Sequence, residues 1–171
     1  MLHAGREGRE PHPGQGRLLQ LTAMVVTAVL RAATPADRAS VLALLAQADL
    51  PTADITEAGL QDFIVALDSG AVIGAAGLER YGEHALLRSL VLAPDWRGHG
   101  LGTALVEAIE ARARALGVRS LVLLTETAAP FFAALGYDGI PRAQAPAALQ
   151  ASREFTTLCP ASCSCMQKTF D

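Results

Sequence analysis

Aromatic residues are scarce: Phe, Trp and Tyr together make up 5% of the 171 residues. That is too few for the stacking platforms that hold single-stranded bases. An excess of basic charge is missing too. Fourteen Lys and Arg stand against 17 Asp and Glu, for a net charge of −3. A protein devoted to nucleic acid would carry the opposite balance, although one local basic pocket for a small anion is not excluded. Three cysteines, all near the end of the chain, cannot frame a disulfide scaffold. No stretch approaches the roughly 20 apolar residues of a membrane-spanning helix. The best window, Leu18 to Leu30, contains Gln20, Thr22 and Thr27 and closes at Arg31. Arg17 ahead of that window and small residues behind Arg31 follow the order of a signal peptide, but Val25–Ala32 is required as the first strand of the domain. No internal repeat is present. What the chain does have is 51% hydrophobic residues and 18% charged, enough to bury a core, at a length suited to one domain.

Residues 1–23 differ from the rest. They are polar, rich in Gly, Pro and charge, and without periodicity, and read as a disordered extension. Met24 stands just before the first strand and is an alternative start. The domain is expected over residues 24–171.

From Val25 the pattern is regular. VVTAVLRAA is β-rich. Thr34-Pro35 supplies an N-cap and an N1 proline, and Asp37 falls in the first turn. The following helix carries Val41, Leu44, Leu45 and Ala48 on one face. FIVALDSGAVIGAAGLE reads as two strands turning at Asp68-Ser69-Gly70. After a turn at Tyr81–His84, ALLRSLVL is almost wholly apolar and hence central. LGTALVEAIEARARAL is a long helix with Leu105, Ile109, Ala113 and Leu116 on its buried stripe and Gly117 as its C′ cap. RSLVLL is another buried strand. Ala128–Leu135 is a short helix, Pro141–Ala151 is ambiguous, and a last strand is expected around Cys165–Phe170. Hairpins come first and a parallel crossover later. That predicts a mixed, twisted sheet with helices on both faces.

The chemistry concentrates between strand and helix, in Leu90-Val-Leu-Ala-Pro-Asp-Trp-Arg-Gly-His-Gly-Leu-Gly-Thr103. A glycine-rich loop opening a helix gathers backbone N–H groups around one point, and the helix N-terminus adds partial positive charge. Glycines let the backbone approach an anion closely, and Arg97 adds a fixed charge. This is a cradle for a pyrophosphate. A P-loop is excluded because no Lys follows the glycines. A dinucleotide loop fits poorly: the spacing is G-x-G-x-G at Gly98, Gly100 and Gly102, although Glu126 lies just past the next strand as an acid for that rival.

Arg97-x-x-Gly100-x-Gly102 after Leu90-x-Leu92-x-Pro94 resembles the acetyl-CoA loop of the GCN5-related N-acetyltransferase (GNAT) superfamily. The resemblance extends over most of Val25–Phe170, through LRAATPADRASVLALL at the start and FFAALGY late in the chain. It implies an α/β (α+β) fold: one GNAT-like domain whose mixed, mostly antiparallel twisted sheet has about six or seven strands, with helices on both faces. It implies an acetyl-CoA-dependent N-acetyltransferase, with acetyl-CoA as cosubstrate and no metal. The main chain of Leu90, Val91 and Leu92 would pair with pantetheine, and the N–H of Leu90 would serve the oxyanion. Arg97, Gly98, His99, Gly100, Leu101, Gly102 and Thr103 would hold the pyrophosphate. Phe131-Phe132-Ala-Ala-Leu-Gly-Tyr137 departs from the family's pattern: Phe132 stands where a Tyr proton donor is common. On their own terms the paired Phe residues read as core.

On the acceptor side, Glu79, Glu83 and His84 are candidate bases. Arg88 inside a buried strand needs a partner. It either binds an acceptor carboxylate or makes an internal ion pair with a glutamate, where many relatives of the family carry an acid. In the tail, Cys159, Cys163 and Cys165 lack zinc spacing, read as small buried hydrophobes, and alternatively suit a soft metal or metalloid. In a strand, Cys163 and Cys165 would share a side. LLRSLVLAPDWRGHGLG, LLTETAAPFFAALGY and REFTTLCPASCSCMQK together resemble the arsenic-resistance N-acetyltransferase-like branch. That implies Arg88, Cys159 and Ser162 as acceptor contacts, a small-molecule, amino-acid-like amine as the partner, no nucleic acid or membrane partner, and a cytoplasmic place; a homodimer is common in the superfamily. An acyl-CoA-binding module with little catalysis and a thiol-based metalloid binder are the alternative functions.

Overall fold

The structure is a computed structural model and describes residues 28–171. The expected extension over residues 1–23, the alternative start at Met24 and the first residues of the expected opening strand lie outside the described residues.

Among the described residues seven strands form one sheet in the order β1-β2-β3-β4-β5-β7-β6. They are β1 (Val29–Ala32), β2 (Phe63–Asp68), β3 (Ala71–Tyr81), β4 (His84–Leu92), β5 (Ser120–Thr125), β6 (Asp138–Ile140) and β7 (Ser164–Thr169). All neighbours run antiparallel except β4 and β5. Among the described residues the α-helices are α1 (Arg38–Gln47), α2 (Leu101–Ala115), α3 (Ala129–Ala134) and α4 (Ala147–Gln150). The strand placed in the middle by its apolar run, β4, is the fourth of seven.

Alternation along β2 explains the two-sided core. Ile64 and Ala66 face α2, where Leu105, Val106 and Ile109 are fully buried. Phe63 and Val65 face the other way, toward Val41 and Leu45 of α1. Helices therefore cover both faces of the sheet. Gly77 is glycine because the Phe63 ring crosses it: a Cβ there would lie 2.5 Å from the ring. The β2–β3 turn is tight, with Ser69 and Gly70 both at positive φ, the geometry that matches strand twist in a two-residue hairpin.

Three expectations shift in detail. Thr34 and Asp37 do form a capping box, but on a 3₁₀ turn, Pro35–Asp37, before α1 begins at Arg38. Asp37 is held there because Arg31 donates to it at 2.7 Å and the Thr34 N–H at 2.7 Å. On α1 only Val41 and Leu45 are fully buried. Leu116 is not on the buried stripe of α2. The helix ends at Ala115 and the chain turns through Gly117 at positive φ, which leaves Leu116 exposed.

Candidate active site

The central strands part company. β4 and β5 pair only at His84–Ser120, Ala85–Leu121 and Leu86–Val122. Beyond Leu86, β5 follows β7 and β4 follows β3, so the β5-facing main chain of β4 has no ladder partner. The register of β3 with β4 also slips between Ala75 and Gly77. Ser89 takes positive φ at this slip. Two residues of β4, Ser89 and Leu90, there oppose one on β3, which is the arithmetic of a β-bulge. A bulge re-aims the backbone, and here it does so at the mouth of the gap.

A cleft of about 830 Å³ fills the gap. One wall is β4 from Leu87 to Leu92, and the other is Leu123–Ala128 with Phe132. Ala48–Pro51 and Leu158–Pro160 close the acceptor end, and Arg97 stands on the rim.

At the far end of β4 the loop turns into α2. Gly98 and Gly100 have φ of +77° and +83°, and a Cβ on either would meet nothing within 4 Å. The space over them is open, as a cradle requires. Gly100 is the residue before the first turn of α2. The first N–H groups of an α-helix have no partner within the helix, so Leu101, Gly102 and Thr103 present theirs to that space. Gly102 is different. It is buried, and a Cβ on it would touch Phe131 and Leu92 at 3.5 and 3.6 Å, ordinary contact distances. A methyl would therefore fit there, between Phe131 and Leu92. Arg97 leans back, its Nε donating to the Leu92 carbonyl at 3.3 Å, and its side chain is exposed. Nδ1 of His99 is buried with no hydrogen-bond partner among the described residues. The open glycine cradle, the orphan N–H groups and the unpaired strand fit a long diphosphate-bearing thioester such as acetyl-CoA. They would hold, respectively, its pyrophosphate and its pantetheine arm.

At the acceptor end, Arg88 is buried amid three carboxylates. It binds Asp54 through both terminal nitrogens, with Nη2 at 2.8 Å from Oδ1. It donates to Glu79 at 3.1 Å and stands 3.3 Å from Glu154. Of the two readings for Arg88, the internal ion pair is the one realised. This corrects the expectation that Arg88 grips an acceptor carboxylate: its terminal nitrogens are already engaged. Desolvation works against its charge, but Asp54, Glu154 and Glu79 together outweigh that and raise its pKa, while the Arg88 guanidinium holds the Asp54 carboxyl below its ordinary range. Glu154 moves the other way. Burial raises it, and Asp54 and Glu79 add repulsion that Arg88 only partly offsets.

Glu79 is the most open of the three, its side chain 39% exposed. It also accepts a bond from the Tyr81 hydroxyl. Glu83 sits exposed in the β3–β4 turn, and His84 Nδ1 lies 2.6 Å from Ser120 Oγ at the closed end of the β4–β5 pair. None of Glu79, Glu83 and His84 borders the cleft; Glu79 is joined to it through Arg88, which does. Phe132 is buried and packs edge-on against Phe131 and Tyr137 at 5.0 and 5.5 Å, the core role expected of it, with its edge on the cleft wall.

Cys159 lines the acceptor end of the cleft, but Ser162 is exposed and does not. Cys163 is the residue before β7 and, like Cys165, is buried, with exposed Ser164 between them. Its thiol donates to Cys159, Sγ to Sγ at 3.3 Å. Among the described residues no group of three or more His, Cys, Asp or Glu is placed to hold a metal ion, and no helix is long and apolar enough to cross a membrane.

Asp54 and Glu154 escaped the sequence reading. Asp54 lies in a loop and Glu154 in a five-residue π-turn (Glu154–Leu158), far from Arg88 in the chain. The available signal was Arg88 itself, a charge in a buried strand that demands acids from somewhere.

The sequence profile of the acetyltransferase (GNAT) family matches residues 30–137. An amino-acid acetyltransferase of Azotobacter vinelandii is 34% identical over 97 residues, 56% of this chain and 22% of that protein. The chain thus spans about a fifth of the length of the curated relatives it matches. Among solved structures, N-acetylglutamate synthase from Neisseria gonorrhoeae, complexed with coenzyme A and N-acetyl-glutamate, superposes with a TM-score of 0.73 at 18% identity, over 83% of this chain and 35% of that one. Rv2747 from Mycobacterium tuberculosis, in complex with CoA and NLQ, gives 0.71 at 22% identity, over 83% and 99%. At such identities these two matches establish the shared fold.

Proposed function

The chain belongs to the acetyltransferase (GNAT) family, and from that premise we propose that it moves the acetyl group of acetyl-CoA to the amine of a small, amino-acid-like acceptor. The observation that carries the reading is the gap between β4 and β5, with a glycine cradle at one end and a carboxylate cluster at the other. The amino-acid acetyltransferases among the relatives support the acceptor class.

Acetyl-CoA supplies an acetyl thioester, whose carbonyl carbon is open to an amine. The N–H groups of residues 98–103 bind the pyrophosphate, helped by the partial positive charge at the start of α2 and by Arg97. The unpaired main chain of Leu90, Val91 and Leu92 takes the pantetheine amides as a further strand would. The Leu90 N–H, re-aimed by the bulge, donates to the oxygen that gains negative charge during attack. Glu79 removes the proton of the acceptor ammonium, directly or through one water. Arg88 holds Glu79 in place through its hydrogen bond. Phe132 has no proton to give, so the departing thiolate takes its proton from solvent at the cleft mouth.

The finer resemblance to the arsenic-resistance branch adds arsenical amino acids and antibiotic amines to the acceptors worth testing. A cytoplasmic place and a homodimer belong to the same reading. Incubation with acetyl-CoA and a panel of amino acids, with release of free CoA followed, is the direct test. No turnover on any small amine would overturn the proposal. One observation favours a second reading: the absent hydroxyl at Phe132 suits a module that holds acyl-CoA without transfer. Tight CoA binding by calorimetry alongside no transfer would select it.

A further inference from the structure

Two thiols meet at the wall of the cleft. Cys159 Sγ and Cys163 Sγ are 3.3 Å apart, and all three cysteines of the described chain are free. Both members of the pair are held in place by their backbones. The Cys159 N–H bonds the Glu154 carbonyl at 3.0 Å, and the Cys163 N–H bonds the Pro160 carbonyl at 3.1 Å. Arg142 fixes the turn between them by donating to Pro160 O at 2.6 Å and to Phe155 O at 3.0 Å. The third cysteine is no rival. Cys165 packs into an apolar cluster with Leu86, Val122 and Leu149.

We infer that Cys159 and Cys163 form a reversible disulfide, and that closing it reshapes the acceptor end of the cleft. A peroxide is the oxidant. The thiolate of one cysteine attacks the O–O bond; an S–O bond forms, the O–O bond breaks and water leaves. The second thiolate then displaces the sulfenic oxygen; the S–S bond forms, the S–O bond breaks and a second water leaves. Two thiols lose two electrons and two protons, and one peroxide becomes two waters. A disulfide needs the sulfurs about 2 Å apart, so they must converge by more than an ångström. Clamped at Pro160 and tied to Arg88 through Glu154, the turn passes that movement to Leu158, Cys159 and Pro160, which form the wall. Burial, and then the hydrogen bond with Cys163, push the Cys159 thiol up to about 12. Few thiolates exist at neutral pH, so closure is slow there and speeds up as pH rises.

The chemistry of closure is independent of the proposed function; its effect on the acceptor rests on that reading. The full chain, reduced and then treated with hydrogen peroxide, is alkylated after unfolding. One tryptic peptide, residues 154–168, carries all three cysteines, so fragmentation assigns each. The expected product has Cys165 alkylated, lacks two hydrogens across Cys159 and Cys163, and returns to three alkylated cysteines after dithiothreitol. With L-glutamate as the acceptor probe, KM rises about tenfold, since displacements near an ångström cost one to two orders of magnitude. CoA affinity stays within about twofold, since the cradle lies at the other end of β4. Cys163→Ser keeps the reduced activity and loses the response to peroxide. A sulfinic acid on Cys159 beside a free Cys163, a bond that includes Cys165, or an unchanged KM after closure would each overturn the inference. If the reduced chain acetylates no amine, the acceptor reading falls by itself. Slowed hydrogen exchange at residues 158–163 then decides the inference: slowing supports it, and unchanged exchange overturns it.

Discussion

Gly100→Asp should sharply weaken CoA binding while leaving the fold intact. Two separable costs are involved. The first is backbone strain: φ at Gly100 is +83°, and a side chain in the left-handed region costs about 1–2 kcal/mol. Aspartate is a favoured N-cap residue only in the extended region, so the helix gains nothing from it here. With about 2–4 °C lost per kcal/mol in a chain of this size, the melting temperature falls by a few degrees. The second cost is electrostatic. No protein atom lies within 4 Å of the added Cβ, so the carboxylate projects into the space meant for the pyrophosphate. Two unit charges 4 Å apart repel by about 1 kcal/mol in water and about 4 kcal/mol near a protein surface. At 1.4 kcal/mol per decade, CoA affinity falls by roughly fivefold to a thousandfold. Gly82→Asp is the matched control. It has φ of +66° and the same empty surroundings, but sits in the β3–β4 turn at the other end of the sheet. Both variants should melt a few degrees low, and only Gly100→Asp should lose CoA in calorimetry. Affinity within twofold of the parent in Gly100→Asp, or an equal loss in Gly82→Asp, would refute the assignment of the loop.

Leu105→Ala empties a fully buried position between α2 and the sheet and should cost about 2–5 kcal/mol in urea unfolding. Gly77→Ala forces a methyl against the Phe63 ring and should destabilise by about 1–3 kcal/mol through overpacking, with Phe63→Leu restoring part of it. Arg88→Met strands Asp54 and Glu154 without their cation and should cost about 3–5 kcal/mol in the same assay. The Arg31 guanidinium, with help from the Thr34 N–H, lowers the Asp37 carboxyl to about 2. A carboxyl lowered on folding stabilises fully above its unfolded value near 4, and the contribution fades as pH falls toward 2. Stability of the parent should therefore drop more steeply than that of Asp37→Asn between pH 4 and 2, as followed by circular dichroism.

The parts legible in the sequence are those whose physics is local. The apolar run of β4, the glycines of the loop and the stripe of Leu105 and Ile109 each sit within one segment, and each falls where periodicity and turn chemistry place it. Phe132 was legible for the same reason, as one of a pair of rings on a short helix. What stayed hidden depends on segments meeting across the fold. Asp54 and Glu154 come to Arg88 from a loop and a π-turn with no periodic signal. The Cys159–Cys163 contact depends on the turn between them, which carries no periodic signal. The bulge is a third case. Ser89 adopts positive φ without being glycine, so nothing at that position announced the break in register, although it aims the backbone into the cleft. Leu116 shows the converse: its spacing fits the helical stripe, but it lies one residue past the point where the chain turns away.

The parting of β4 from β5 has a mechanical consequence. With three paired residues between them, the sheet is two half-sheets, β1–β4 and β5–β7, sharing a short seam, and α2 packs on the β2–β4 side of it. The seam stops where the cleft opens, beside the place proposed for the ligand. A ligand that bonds β4 and touches β5 would act as a splint. It should raise the melting temperature with the logarithm of its concentration, and protect from exchange those amides of the two strands that have no partner of their own.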